Sequence, residues 1–155
     1  MSVESRCREF LKSKGLNPSE EWLKKEIETL TNGGPQIILD QQILQKANSE
    51  DISLIVNEGT FPEDLDELHK VELKGPYFVQ VNDYLDVSLS NLEQLQIIEK
   101  DEVEFKRTGN RPLDKLPKLS RVLKLTLSDG IRELTAMEYQ PISKIPNKIP
   151  LGTKV

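Results

Sequence analysis

The chain carries a single cysteine, Cys7, and a single histidine, His69. One thiol allows neither an intramolecular disulfide nor a thiolate zinc cluster, which fits a reducing intracellular compartment. One histidine and one cysteine together exclude the usual His-rich zinc sites. A Cys7–His69 nucleophilic pair survives this counting. Neither residue lies in a recognisable motif, however, and a lone histidine in an acidic run is ordinarily solvated. There is no Gly-rich phosphate loop, metal cluster or catalytic triad, so no cofactor and no enzymatic activity are expected. No apolar run approaches the ~18 residues of a membrane span, and the polar start M-S-V-E-S-R has no signal-peptide core. Aromatic residues are only 5%, and Lys and Arg (21) are outnumbered by Asp and Glu (26), for a net charge of −5. A protein living on nonspecific DNA binding is more often basic, because phosphate neutralisation needs cations.

The 155 residues, 36% hydrophobic and 30% charged, suit one domain or a small helical module plus one more. The N-terminal third has helical punctuation. Cys7, Phe10 and Leu11 share a face of a helix from Glu4 to about Lys14, stopped by Gly15. Asn17 as N-cap, Pro18 at the first helical position and Glu20 predict a second helix. Its stripe is Trp22, Leu23, Ile27 and Leu30, and Asn32-Gly33-Gly34-Pro35 ends it. Asp40 is the expected cap of a third helix carrying Ile43, Leu44 and Ala47. Ser49 is the expected cap of a short fourth with Ile52, Leu54 and Ile55. This is a three- to four-helix bundle of the size of ubiquitin-associated domains, spanning 1–56.

Residues 57–74 read as a linker, with Gly59, Pro62 and the acidic run Glu63-Asp64-Leu65-Asp66-Glu67. A strand follows, Y-F-V-Q-V-N-D-Y-L-D-V from Tyr77, rich in β-branched and aromatic residues. Tyr77, Phe78 and Tyr84 are assigned to the core. Then come thirty-two residues, Ser88 to Leu119, between strands that would otherwise be hairpin neighbours, where a connection of about five residues is ordinary. The charges there are segregated: Glu93, Glu99, Asp101, Glu102 and Glu104, then Lys106, Arg107, Arg111, Lys115 and Lys118. Leu92, Leu95, Ile97, Ile98, Val103, Phe105, Leu113 and Leu116 are threaded through them. Leaving such side chains in water forfeits about 1.5–3 kcal/mol each, so they either fold back on their own domain or dock on a partner. Leu92 to Ile98 can form a short helical turn.

The stretch Ser120 to Ile142 holds the clearest local signal. Leu123, Leu125 and Leu127 alternate with Lys124 and Thr126. Asp129-Gly130 marks a hairpin turn, because glycine accepts positive φ. A second strand runs from Ile131 through Leu134 to Met137, closed by Pro141. Leu123, Leu125, Leu127 and Leu134 are expected to face the core. Lys124, Arg132 and Glu133 are expected to be exposed. Pro146 and Pro150 forbid a regular element before Gly152-Thr153-Lys154-Val155, which begins another strand.

The runs S-R-V-L-K-L-T-L-S-D-G, M-E-Y-Q-P-I and P-L-G-T-K-V resemble the N-terminal region of the RecQ-mediated genome instability protein 1 family, in order along nearly the whole chain. The resemblance implies an α+β protein in which the helical bundle precedes an OB-fold β-barrel over 75–155, with the long insertion at 88–119. About three strands and the start of a fourth fall within the chain, so the barrel is expected to be incomplete. The family is a nuclear, noncatalytic scaffold subunit of a topoisomerase III–RecQ helicase complex, active in DNA repair, replication and recombination, where it promotes dissolution of double Holliday junctions. The partners implied are topoisomerase III, a RecQ-family helicase and weak DNA contact through the complex, with no membrane. The insertion corresponds to a loop that reaches the topoisomerase gate; Ile97, Ile98 and Phe105 are its candidate anchors, because a few desolvated apolar side chains usually dominate such contacts. Lys154 matches the lysine of the family's P-x-G-T-K motif, implicated in contacts with topoisomerase and helicase. The alternative is an OB-fold module that binds single-stranded nucleic acid directly through aromatic stacking and a basic groove.

Overall fold

The computed structural model describes residues 2–31, 39–63, 65, 67, 70–108, 121–146 and 148–155. His69, the helix stop at 32–35, Asp64 and Asp66 of the acidic run, and 109–119 of the insertion lie outside the described residues.

Four helices occupy the N-terminal part: α1 (Val3–Ser13), α2 (Glu20–Thr31), α3 (Leu39–Ser49) and α4 (Ile52–Ile55). The expected stripes turn inward. Cys7 and Leu11 of α1, Trp22 and Leu23 of α2, and Ile43 and Ala47 of α3 are buried in one cluster, with Phe10, Ile27, Leu30 and Leu44 against it. Ile52 and Ile55 join it, whereas Leu54 is 70% exposed, because a single turn of helix has only one inward face.

The caps differ from those expected. Ser2 caps α1, accepting from Ser5 N at 3.1 Å. At α2 the capping hydroxyl is Ser19, which accepts from Trp22 N, not Asn17. The helix therefore begins after Pro18, which stays in the incoming turn. Asp40 lies inside the first turn of α3, where its carboxylate meets Arg6 Nε at 3.4 Å and Cys7 Sγ at 3.3 Å. Asp51, not Ser49, caps α4, accepting from Ser53 N at 2.9 Å. Ser2, Ser19 and Asp51 are all side chains of the capping type.

The sheet has three antiparallel strands, β1 (Gln80–Asp86), β2 (Leu123–Ser128) and β3 (Glu133–Met137), in the order β1-β2-β3. The end of β1 meets the start of β2 through Val87 N to Val122 O, and the end of β3 meets it through Glu138 N to Leu123 O. β1 starts three residues after Tyr77 because the amides before it have other partners. Phe78 N donates to Gly15 O, and Val79 exchanges two hydrogen bonds with Val155. Gly15 has φ +83, and a Cβ there would collide with the Pro76 carbonyl. It therefore both turns the chain out of α1 and admits the segment leading to β1.

The insertion contains a regular element. Instead of a short turn at Leu92–Ile98, α5 runs from Asn91 to Thr108. No Gly or Pro interrupts it, and Ser90 with Glu93 forms a capping box. Ser90 N and Oγ both donate to Glu93 Oε2 at 2.8 Å, and Glu93 N donates back to Ser90 Oγ.

Two compact units emerge. One comprises 1–82, 127–134 and 152–155, the other 83–126 and 135–151. The first holds α1–α4 with the hairpin tip and the terminal segment. The second holds α5 and the remaining lengths of the strands.

Candidate functional site

Gly130 adopts φ +96 at the hairpin tip, and a Cβ there would strike Val56 Cγ2. Asp129 is 1% exposed. Its carboxylate accepts from Phe61 N (2.8 Å), Arg132 N (2.8 Å) and Ile131 N (3.0 Å). Burial alone would raise its pKa, but these backbone donors outweigh it and hold the carboxyl below its usual range. They also explain why β3 starts at Glu133 and not Ile131: two of the intervening amides are taken by Asp129. Leu123 and Leu125 are buried, and Leu127 and Leu134 are half-buried.

Arg132 was expected at the surface of this hairpin. It instead donates to Phe61 O at 2.7 Å and pairs with Glu63 at 3.3 Å, clamping the segment after α4. Lys124 and Glu133 are exposed. Of the aromatics assigned to the core, Phe78 is buried and Tyr77 stacks at 5.9 Å on Phe61. Tyr84 is half-buried. Tyr139, by contrast, is fully exposed beyond β3, near exposed Met137.

In the second unit, Arg121 and Glu138 form an ion pair with both side chains 1% exposed. Arg121 Nε and Nη2 grip the two carboxylate oxygens, while Nη1 donates to Ile145 O at 2.9 Å. Glu138 also accepts from Leu123 N (2.9 Å) and Ile142 N (3.1 Å). Its pKa is pushed up by burial and pulled further down by Arg121 and these amides, ending below the ordinary glutamate value. Neither residue stands in a motif that marks it in the sequence. The available signal was a charge embedded in each of two otherwise apolar runs.

The candidate anchors all fall in the second unit, whereas Lys154 falls in the first. Ile97 and Ile98 lie on α5 at 38% and 57% exposure, beside Leu92 at 64% and Leu95 at 52%. Phe105 lies on α5 too, with its side chain outside the described residues. Leu92, Leu95 and Ile98 follow at three-residue steps and share a side of the helix. The helix is moored at its start by Gln94 Nε2, which donates to Asp86 O and Leu89 O.

Lys154 is in the first unit and is half-buried. Residues 152–155 pair antiparallel with Val79–Val81. The Lys154 ammonium donates to Gln80 Oε1 at 2.8 Å and Gly152 O at 2.9 Å. Burial lowers its pKa against the raising influence of Asp51.

Among the described residues, no group of three or more His, Cys, Asp and Glu side chains is arranged to hold a metal ion. No helix among them is long and apolar enough to cross a membrane.

Residues 61–155 match the family model described as "RMI1, N-terminal OB-fold domain". Several relatives carry the name RecQ-mediated genome instability protein 1. The zebrafish (Danio rerio) protein is 32% identical over 90% of this chain and 27% of its own length. The mouse (Mus musculus) protein is 30% identical over 86% and 22%. The Arabidopsis thaliana protein is 26% identical over 98% and 22%. The chain thus spans about a quarter of the length of these relatives. The quoted runs contain residues that make long-range contacts: Arg121 and Glu138 with each other, Asp129 with the Phe61 segment, and Lys154 with Gln80. With the family model covering well over half of its residues, the chain belongs to the RMI1 N-terminal OB-fold domain family.

Proposed function

We propose that this chain is the helical and OB-fold part of a noncatalytic, nuclear scaffold subunit that binds topoisomerase III and a RecQ-type helicase. In that complex it promotes dissolution of double Holliday junctions and limits crossovers. The N-terminal helices are its ubiquitin-associated-like bundle (1–56). After a linker (57–74), the sheet belongs to the OB-fold region (75–155).

The observation that supports this reading best is α5. A capped helix carries Leu92, Leu95 and Ile98 exposed along one side. A helix with apolar residues left in solvent is a standard form in which a partner groove is engaged. Its acidic residues suit a basic surface on the partner by Coulomb complementarity, and the relatives' shared name ties them to RecQ-mediated genome stability.

The test is the triple variant Leu92→Ser, Leu95→Ser, Ile98→Ser. It should keep its far-ultraviolet circular dichroism and lose about tenfold or more in topoisomerase III affinity, since a few desolvated apolar anchors dominate such contacts. Undiminished binding and decatenation would reduce α5 to a connector.

The fully exposed Tyr139 beside Met137 favours a second reading, direct binding of single-stranded nucleic acid. Labelled single strands titrated at two salt concentrations distinguish the two. A steep salt slope at micromolar affinity, abolished by Tyr139→Ala, supports direct binding.

A further inference from the structure

The backbone bonds of the sheet fix its register. On one side of β2, Val87 N donates to Val122 O; on the other, Glu138 N donates to Leu123 O and Asp129 N to Arg132 O. Stepping along antiparallel neighbours from these pairs sets Leu85 opposite Lys124, and Lys124 opposite Met137. These three side chains therefore share one face, with Val87 two positions beyond Leu85 and Tyr139 two beyond Met137. Leu85 (43%), Val87 (42%) and Met137 (61%) are exposed, and Tyr139 fully so. Leu123 and Leu125, which point to the other face, are buried. The result is an exposed apolar sheet face with one exposed cation, Lys124, in its middle.

The same compact unit leaves a second apolar surface open. Leu92, Leu95 and Ile98 run along α5 in solvent. Glu99 comes one turn after Leu95 and two turns after Leu92, so an exposed carboxylate stands within that stripe. Among the described residues, neither Lys124 nor Glu99 enters an ion pair. The two surfaces are complementary, apolar against apolar and cation against anion. Within one chain they do not meet. Gln94 Nε2 ties the start of α5 to Asp86 O and Leu89 O, and both surfaces stay exposed.

We propose that two copies of this chain associate by exchanging these surfaces: α5 of each lies on the Leu85–Lys124–Met137 face of the other, with Glu99 against Lys124. A two-fold axis makes the contact occur twice, so the apolar area it buries is doubled. The Gln94 mooring stays intact, because the second copy supplies the helix that the sheet face lacks. The exchange uses the same helix as the proposed topoisomerase contact and does not depend on it. It covers the stripe, so a topoisomerase that engages α5 draws on the monomer and opposes the dimer by mass action.

The test is sedimentation equilibrium of the full chain without topoisomerase, at about 100 µM because interfaces of this kind are weak. The wild-type chain should be dimeric. Lys124→Glu and Glu99→Lys each set like charges together in both contacts and should weaken the dimer about tenfold or more. An equimolar mixture of the two variants should restore it. One contact of the mixed dimer then holds the original pair, and the other holds the same pair with its signs exchanged. Leu95→Ser should be monomeric by loss of an apolar anchor. All of these positions are exposed, so circular dichroism should not change. If one charge reversal nevertheless fails to fold, Leu95→Ser and the other reversal decide the matter.

The proposal is overturned if the wild-type chain is monomeric or forms species larger than a dimer. It is also overturned if the single variants dimerise like wild type, or if their mixture stays monomeric. A monomeric wild type whose binding of labelled single-stranded DNA is lost with Lys124→Glu would assign the sheet face to nucleic acid instead. Failure of topoisomerase capture would refute the scaffold reading and leave the dimer standing.

Discussion

Arg121 and Glu138 illustrate how much rests on single side chains here. Removing one member leaves the other charged and buried, at a cost of about 3–5 kcal/mol. Arg121→Met or Glu138→Leu alone should therefore lower the urea midpoint sharply, whereas the double replacement should cost less than the sum of the two, since no unpaired charge stays buried although Leu123 N and Ile142 N still lose their acceptor. A double-mutant cycle by urea denaturation checks this, and equal additive losses would contradict it. Cys7 gives a chemical counterpart. Burial first, then the hydrogen bond to Asp40, push its thiol up to about 11. The thiolate is the reacting species, so a disulfide reagent at pH 8 should label folded protein very slowly and urea-unfolded protein fully. Prompt labelling of the native chain would show that the α1–α3 contact opens.

At the scale of elements, the hairpin and α5 are held by different means. Leu125 lies 5% exposed in β2, and Leu125→Ala should cost about 2–5 kcal/mol by transfer and cavity effects together. A thermal melt without loss would mean the sheet is not packed there. Gly130→Ala should also destabilise, because alanine resists φ +96 and its Cβ meets Val56. For α5 the support is local: Ser90→Ala should cost about 0.5–2 kcal/mol of helix stability, the usual worth of an N-cap. It should speed exchange of the Glu93 and Gln94 amides while leaving β2 amides untouched. If β2 responds too, α5 is more deeply integrated than its exposed face indicates.

At the scale of the molecule, carboxylates set the response to acid. Glu138 and Asp129 are held below their ordinary values by hydrogen-bond donors that overcome burial, and Asp51 by Ser53, first through its hydroxyl and then its amide. A carboxyl depressed in the folded state binds fewer protons than in the unfolded state. Its stabilisation is therefore fully present above the unfolded pKa of about 4 and fades as pH falls through the lower folded value. Stability measured by urea should hold from pH 7 to 5 and decline below about 4. Glu138→Gln should flatten that decline, and an unchanged slope would remove Glu138 from the account.

Period and punctuation were legible in the residues themselves. The stripes of α1 to α3, the alternation of Leu123, Leu125 and Leu127, and the Asp129-Gly130 turn are short-range patterns. They depend on side-chain volume and backbone freedom within a few positions. The full length of α5 was written there too, in Ser90, Glu93 and an uninterrupted run to Thr108, but was masked by the expectation of an irregular connector. Tertiary structure decided whom the charges meet. Arg121 finds Glu138 seventeen positions away, Arg132 finds Phe61 O seventy-one away, and Lys154 finds Gln80 seventy-four away. A hydrogen bond reaches about 3 Å and takes no notice of sequence separation. Only the closed chain, by burying these groups, determined which partners were near enough to satisfy them.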